Sequence, residues 1–533
     1  MYAPIKQSLA LLAVVALAAC TGGGGGNALP NGPPTQLLPP PAGTGVLARI
    51  VGVGDSLTAG TQSNGTMGVS YLGNPVSALP GGLIPATQPN GFFALLYEQA
   101  TGMTTAQMAN PATSVLPLVA ATGNGQELVV TFPPNPFAPS QLACDAFNQS
   151  MYSLANAATY RANPNTIPLD VGVPGITAHE ALTMTHPETG PPPSAVAGVC
   201  PGFQNVAGDP TAGGLQTLLN SESSMFYPIL SNFAVPGVLG NNQQVTMLNA
   251  AVALRPTLAT VWLGANDLLK YQESHGQSPS DTPAQMQTDI TQVIRTLQAG
   301  GAKVVVANLP DILLTPQFFK GGPTLTATLS GFLQQVGIPA AFANAIAANA
   351  TANVQTSYGV GPNGYLTESG FLGTLSQCIA QFNGGAGTVN CQPALDPAGA
   401  HSGDGTAYLD DAFAAQVQGL NTAYNGAIGA AAAATLTPLV DIHAVFSGIA
   451  SGAGPYAIAA AINPPKCCNL QFGGGLVSFD GLHPSNTGYA LVANVWIQTI
   501  NTAYGTSIAA VNATAVYNGT APYGPLPDPY AQH

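Results

Sequence analysis

Serine, asparagine and histidine side chains occur where the sequence predicts sharp turns, and these residue types can carry out acyl-transfer chemistry. Ser56 follows the apolar run 46–54, Asn266 lies two residues after a glycine, and His483 stands directly before a proline. Attack on an acyl group needs a nucleophile and a base that takes its proton. It also needs a group that orients the base and hydrogen-bond donors that face the developing oxyanion. The sequence offers a candidate for each part.

The position of each candidate predicts its role. Ser56 is the predicted nucleophile, because a serine at the turn after a buried strand exposes its hydroxyl. His483 is the predicted base, and Asp480, three residues earlier in the same loop, can bind the other ring nitrogen and fix the tautomer. Gly175 lets a substrate approach the backbone closely, and it supplies an N–H donor. Asn266 supplies a side-chain N–H beside the backbone N–H of Ser56.

The blocks that carry these residues resemble those of a known superfamily. Gly-Asp-Ser-Leu at 54–57, a later glycine, Gly-Ala-Asn-Asp at 264–267 and Asp-Gly-Leu-His-Pro at 480–484 stand in the order found in the SGNH (GDSL) hydrolase superfamily. The second block matches less closely. The family often has an asparagine two residues before its glycine, where this chain has Asp170 before Gly172. Gly175 is therefore the preferred oxyanion glycine.

The resemblance implies a fold, an activity and a set of site residues. The implied fold is α/β, a flavodoxin-like three-layer α/β/α arrangement with a parallel central sheet. The implied activity is ester hydrolysis through an acyl-enzyme that needs no metal and no organic cofactor. The implied site consists of a catalytic triad, Ser56, Asp480 and His483, and an oxyanion hole formed by Ser56, Gly175 and Asn266.

The elements that must position these residues can be predicted from apolar runs. Alternating strands and helices favour a parallel sheet with helices on both faces, and sites in such sheets gather at the carboxyl ends of the strands. Strands are predicted at 46–54, 167–173, 258–263, 303–309 and 436–443, with a further strand at 127–132. Helices are predicted at 91–100, from Thr177 onward, and at 282–297 and 484–502.

Long stretches rich in Gly, Pro and Asn interrupt this alternation. We assign 46–505 to one hydrolase domain with insertions at about 61–165, 186–250 and 315–430, followed by a tail at 506–533. Phe318 and Phe319, inside the third insertion, are candidates for lining an acyl pocket. Asp55, Asp267 and Asp311 are expected to stabilise their turns through hydrogen bonds to nearby backbone.

The N-terminus is typical of an export signal. Lys6 precedes an apolar run at 9–19 that is too short to span a bilayer, and Leu-Ala-Ala then leads into Cys20. This resembles the bacterial lipobox, so we predict a signal peptide at 1–19, lipidation of Cys20 and a Gly/Pro-rich tether at 20–45. The expected location is the cell envelope, by resemblance the outer membrane of a Gram-negative cell. An ordinary signal peptide with a chance cysteine is the alternative.

An even number of cysteines remains after Cys20, which in an exported chain suggests disulfides. Cys378 with Cys391 is the preferred pair and Cys144 with Cys200 the next, while the adjacent Cys467 and Cys468 form either a vicinal bridge or two separate links. Zinc is the alternative, but no nearby histidine or CxxC completes a site. An acidic group is a weak calcium candidate without EF-hand spacing, so no metal is predicted; it comprises Asp396, Asp404, Asp410 and Asp411.

The amino-acid composition limits the classes of molecule that the protein is expected to bind. Charged residues make up only 6% of the chain and the net charge is −13 without any basic run, which excludes nucleic acid as a partner. The predicted substrate is a small-molecule or lipid ester, with the membrane reached through the lipid anchor. The alternatives are a carbohydrate O-deacetylase of the same superfamily and a non-catalytic surface-binding lipoprotein. Acyl length, the alcohol moiety, the membrane leaflet and the oligomeric state remain open.

Overall fold

The computed structural model describes a defined part of the chain. The described residues are 38–62, 69–71, 74–75, 88–118, 130–132, 163, 166–173, 175–184, 246–277, 281–384, 389–395, 407–452, 468–471, 474–478, 481–520 and 523. Several predicted features lie outside them, namely the signal peptide, the tether up to residue 37, Cys20, Cys144, Cys200, Cys467, Asp396, Asp404 and Asp480.

Strands and helices alternate along the described chain. The strands are β1 Ile50–Gly54, β2 Val69–Tyr71, β3 Asn74–Pro75, β4 Val130–Phe132, β5 Leu258–Trp262, β6 Lys303–Ala307, β7 Phe318–Lys320, β8 Tyr365–Thr367, β9 Tyr408–Leu409 and β10 Leu439–Val440. The helices up to the third insertion are α1 Ser56–Ala59, α2 Phe92–Thr101, α3 Thr105–Met108, α4 Glu180–Thr183, α5 Met247–Ala253, α6 Ala265–Glu273 and α7 Pro283–Ala299. The later helices are α8 Pro323–Gln335, α9 Ala340–Tyr358, α10 Glu368–Gly384, α11 Asp411–Ala434, α12 Ile442–Ser451, α13 Asn486–Tyr504 and α14 Ala513–Tyr517.

The main sheet is parallel, with strand order β1-β5-β6-β10. An extended segment at 169–173 adds to its free edge. The Gly52 N–H donates to the Leu169 carbonyl, and the Val171 N–H donates to the Gly52 carbonyl, each at 2.9 Å. Counted in chain order with this segment second, the order is 2-1-3-4-5, which is the flavodoxin-like order. The predicted α/β fold with a parallel central sheet is confirmed.

Strand order and connection handedness explain the two helical layers. Crossovers between parallel strands are right-handed, so the helix between β1 and segment 169–173 lies on one face and the helices of the later crossovers lie on the other. The helices follow this rule: α2 packs against α13, whereas α7 packs against α11, α5 and β6. Every residue of β1 and β5 is buried, as expected for strands covered on both faces.

The fifth predicted strand is shorter than the apolar run 436–443 suggests. β10 contains only two residues, because the Asp441 carboxylate accepts a hydrogen bond from the Ala444 N–H at 3.0 Å and starts α12 at Ile442. An N-cap bond of this kind favours the start of a helix at the next residue, even within an apolar run. The run 436–443 is therefore part strand and part helix.

An aromatic cluster joins α2 and α13 to the sheet. Phe92 stacks on Trp496 with 5.2 Å between ring centroids and meets the edge of Trp262 at 5.3 Å. All three rings are fully buried. Edge and offset-stacked contacts of this kind stabilise beyond the area they bury. The cluster fixes the middle of α13 relative to the carboxyl end of β5.

Residues 318–409 contain a second hydrophobic core, which we call the helical lobe. Strands β7, β8 and β9 form an antiparallel sheet, and α8, α9 and α10 pack beside it around Leu329, Ala347 and Phe371. A disulfide joins Cys378 to Cys391, which confirms the preferred pair. The stretch 315–430 is therefore largely helical, and its last part is α11, which packs on the main domain.

The described residues from 506 to 520 pack against α13. The Asn494 side chain binds the backbone N–H and carbonyl of Val511 at 2.7 and 3.0 Å, and the Asn501 side chain does the same with Ile508. None of the helices in the described ranges combines the length and hydropathy that a bilayer span requires.

Candidate active site

Ser56 lies at the turn between β1 and α1. Asp55 is the N-cap of α1, and its carboxylate accepts a hydrogen bond from the Leu57 N–H at 2.9 Å. Gly54 lies at the last position of β1, where a Cβ would overlap Thr58 Oγ1 and stand 2.6 Å from the Trp262 carbonyl oxygen. The turn therefore needs a glycine before it and, within it, a short side chain that accepts a hydrogen bond. This explains why the sequence at this turn is Gly-Asp-Ser.

His483 reaches Ser56 from the loop before α13. Its Nε2 lies 2.8 Å from Ser56 Oγ, and each residue is 9% exposed. The Ser478 N–H donates to the His483 carbonyl at 2.7 Å, and the Gln317 N–H donates to the Gly481 carbonyl at 3.0 Å. These two bonds hold the loop that presents the imidazole. A hydroxyl and an imidazole at this distance form the nucleophile–base pair of acyl-transfer chemistry.

Asp480 lies outside the described residues, so the group that orients the second ring nitrogen is not part of the described geometry. The sequence assignment of Asp480 stays a prediction.

Gly175 and Asn266 meet at a single backbone turn. The Asn266 amide donates to the carbonyl of Ile176, the residue after Gly175, at 2.9 Å. Gly175 has a φ of 82°, a conformation that favours glycine. Asn266 also lines the same cavity as Ser56 and His483. An amide nitrogen has two protons, so the bond to Ile176 leaves one for an acceptor in the cavity.

The alternative glycine, Gly172, is engaged elsewhere. Its N–H donates to Asp170 Oδ1 at 2.8 Å, and a Cβ at this position would lie 2.7 Å from the Ala59 nitrogen. Gly172 therefore serves the close packing of segment 169–173 against α1. Asp170 is fully buried, and burial raises its pKa well above the usual value despite this hydrogen bond.

A cavity of about 460 Å³, counted to its open mouth, adjoins the pair. Small-molecule sites typically combine apolar walls with a few polar groups. The polar side chains on its wall are Ser56, Asn266, Thr315 and His483. The remaining wall is apolar, comprising Leu57, Trp262, Ala265, Leu269, Pro310, Ile312, Phe446, Leu482 and Pro484.

The sequence indicated only part of this wall. Phe446 belongs to α12, three residues past the run 436–443 that was predicted as a strand, and Ile312 lies in a short 3-10 turn after β6, so neither stood out. Phe318 and Phe319, the sequence candidates, do not line the cavity. Phe318 packs against Tyr365, and Phe319 stacks on Phe371 in the helical lobe.

Asp55 and Asp311 stabilise their own turns, as predicted, and Asp311 Oδ1 accepts from the Leu313 N–H at 3.0 Å. Asp267 Oδ2 instead accepts from the Ala178 N–H, 89 positions away along the chain, at 3.0 Å. The second oxygen of Asp55 has no partner, and burial raises the pKa of this carboxyl to about 7. The Leu57 N–H and the neighbouring His483 act in the opposite direction but do not offset the burial.

Within the described ranges, no group of three or more His, Cys, Asp or Glu side chains is placed to hold a metal ion. Of the acidic residues weighed for calcium, Asp410 caps α11 by accepting from the Phe413 N–H at 2.7 Å.

Comparison with models of protein families shows to which family the chain belongs. Residues 204–496 match the model of the GDSL-like Lipase/Acylhydrolase family, which is more than half of the chain. The chain belongs to this family. The match includes Asn266 and His483, and it begins after Ser56 and Gly175, which the geometry brings to the same site. No curated protein and no solved structure matches the chain.

Membership of the GDSL-like lipase/acylhydrolase family, part of the SGNH superfamily, identifies this chain as a serine hydrolase. The Ser56–His483 contact is consistent with that chemistry.

Proposed function

We propose that this GDSL-like hydrolase cleaves carboxylic esters through an acyl-enzyme formed on Ser56. The observation that carries the proposal is the 2.8 Å contact between Ser56 Oγ and His483 Nε2 on the wall of an apolar cavity. A nucleophile beside an apolar cavity favours a substrate whose acyl group is uncharged. An open, polar and aromatic-lined groove would favour sugar substrates instead.

The reaction follows from the positions of these groups. His483 takes the Ser56 proton as the oxygen attacks the ester carbonyl, and the Asn266 amide together with the Ser56 and Gly175 N–H groups holds the oxyanion. Collapse of the tetrahedral intermediate breaks the ester bond, and His483 returns the proton to the leaving alkoxide. Water then attacks the acyl-enzyme with His483 again acting as base, which frees the acid and restores Ser56. Asp480 orients His483 in this scheme.

The proposed cellular setting supports lipid or short-acyl esters. Lipidation of Cys20 and the tether at 20–45 would hold the hydrolase at the cell envelope, where such esters are abundant. Extraction of the full chain into a detergent phase, compared with Cys20→Ser, tests the anchor. Equal partitioning of the two would refute it.

The activity is tested with p-nitrophenyl esters of two to twelve carbons and with an acetylated polysaccharide. Wild type is expected to turn over the p-nitrophenyl esters, while Ser56→Ala and His483→Ala lose at least about 1,000-fold in kcat. Thr315→Ala, a change of a polar wall residue outside the dyad, is the matched control and should retain most of the activity. A folded wild type that neither hydrolyses esters nor reacts with a fluorophosphonate would refute the proposal and favour a binding protein. Activity only on the polysaccharide would favour the deacetylase.

A further inference from the structure

Asp267, the residue after Asn266, is a buried acid that the proposed reaction does not use. It is 2% exposed and lies in the first turn of α6, at the carboxyl end of β5. Asp267 Oδ2 accepts a hydrogen bond from the Ala178 N–H at 3.0 Å. Burial raises the pKa of Asp267 well above its usual value, so the neutral acid is favoured.

The bond to Ala178 crosses to the turn that carries Gly175. Two adjacent residues of α6 form hydrogen bonds with this turn. Asn266 donates to the Ile176 carbonyl at 2.9 Å, and Asp267 accepts from the Ala178 N–H. The hydrogen bonds of segment 169–173 also tie the turn to the sheet, and the ion pair between Lys270 and Glu180, at 3.0 Å, links α6 to the residues that follow the turn. Of these contacts, those of Asn266 and Asp267 lie nearest to the Gly175 N–H and the Asn266 amide.

We propose that Asp267 is a positioning residue that holds the Gly175–Ala178 turn against α6, so that the two oxyanion donors outside Ser56 converge on one point. This inference rests on the proposed ester hydrolysis, because it concerns the oxyanion hole of that reaction. Asp267 itself touches neither the substrate nor the reacting atoms.

The kinetic consequence is specific. An oxyanion exists only in the transition state and the intermediate, so a displaced donor lowers kcat and leaves substrate binding nearly unchanged. Loss of a whole donor reduces kcat about 100- to 1,000-fold in acyl-transfer enzymes. Loosening a turn that carries one donor is a smaller change, and we expect a loss of about 10- to 100-fold in kcat with KM within about 3-fold.

Asparagine is the decisive variant at this position. Its side-chain oxygen can accept from the Ala178 N–H, so it reproduces the contact that holds the turn. Asp267→Asn should therefore keep kcat within about 3-fold of wild type, whereas Asp267→Ala should show the full loss. Glu98→Ala is the matched control, because Glu98 is also a buried acid, 4% exposed, but accepts a hydrogen bond from Thr105 in another part of the domain. It should retain kcat.

The experiment measures kcat and KM of the full chain on p-nitrophenyl butyrate, with the folded fraction of each variant obtained from tryptophan fluorescence. If Asp267→Ala does not fold, Asp267→Ser replaces it, because serine keeps a polar group in the space but is too short to reach Ala178. The inference is overturned if the folded Ala or Ser variant keeps kcat within 3-fold of wild type. It is also overturned if Asn is as defective as Ala, or if the loss appears in KM. An inactive wild type, or an active Ser56→Ala, would overturn the proposed function as well, so the two failures can be told apart.

Discussion

Replacing Asp55 by asparagine should change how the stability of the protein depends on pH. Asparagine is as good an N-cap as aspartate, so the bond to the Leu57 N–H is kept and the ionisable group is removed. The pKa of Asp55 rises from 3.8 to about 7 because the carboxyl is fully buried. Between those two values the folded state holds a proton that the unfolded state has lost.

The sign and size of the effect follow from that difference. Stability falls with rising pH wherever the folded state binds more protons, so the stability from neutral Asp55 is complete below pH 3.8 and is lost as pH rises to about 7. At about 1.4 kcal/mol per unit over roughly 3 units, the loss is about 4 kcal/mol. Relative to wild type, Asp55→Asn should therefore gain about 4 kcal/mol in the free energy of unfolding between pH 4 and pH 8.

Urea unfolding at pH 4, 6 and 8, followed by tryptophan fluorescence, measures this gain. Both tryptophans of the chain, Trp262 and Trp496, lie in the core of the main domain, so the signal reports on the domain that contains Asp55. Thr282→Asn, which exchanges one uncharged side chain for another at the N-cap of α7, is the control and should shift stability equally at each pH. A difference between Asp55→Asn and wild type that changes by less than about 1 kcal/mol across this pH range would refute the reasoning.

Three further predictions follow from packing. Phe446→Ala should enlarge the cavity and raise kcat/KM for p-nitrophenyl decanoate about 10-fold relative to the acetate, and an unchanged ratio would show that the ring does not meet the acyl chain. Cys378 and Cys391 are 13 residues apart, and replacing both by serine should destabilise the helical lobe by about 3 kcal/mol, as measured by hydrogen exchange. The unfolding transition followed by tryptophan fluorescence should not change. A helical lobe that is unprotected from exchange in wild type would contradict this prediction. Gly54→Ala should cost about 3 kcal/mol by tryptophan fluorescence, because its Cβ would overlap neighbouring atoms, whereas Gly331→Ala, in a helix with open space around it, should be neutral or stabilising.

The framework was predictable because hydrophobic periodicity and turn chemistry agree there. The run at 46–54 is apolar except for Arg49, and a glycine at its end is followed by the N-cap Asp55, so both signals give the same boundary. At 436–443 hydrophobic periodicity and turn chemistry disagree. The apolar run predicts a strand, but Asp441 caps a helix that starts inside the run at Ile442.

The cavity wall was not predictable for a different reason. Phe446 and Ile312 are unremarkable in sequence, and they meet Ser56 only because strands β6 and β10 end at the same edge of the sheet. The contact between Asp267 and Ala178 likewise joins residues 89 positions apart. A motif supplies residue types, whereas such partners depend on topology that no local pattern specifies.

The separation of Ser56 from His483 has a consequence for how the hydrolase matures. The two residues are 427 positions apart, and the loop that carries His483 is set by α13, which packs on α2 near the beginning of the domain. A chain that emerges from the ribosome N-terminus first therefore exposes its serine long before a base exists to activate it. The proposed ester hydrolysis therefore has to wait until α13 docks, because His483 reaches Ser56 only then. The appearance of turnover therefore reports that the domain is completely folded. A refolding experiment that follows the proposed ester cleavage would measure how long complete folding of the domain takes.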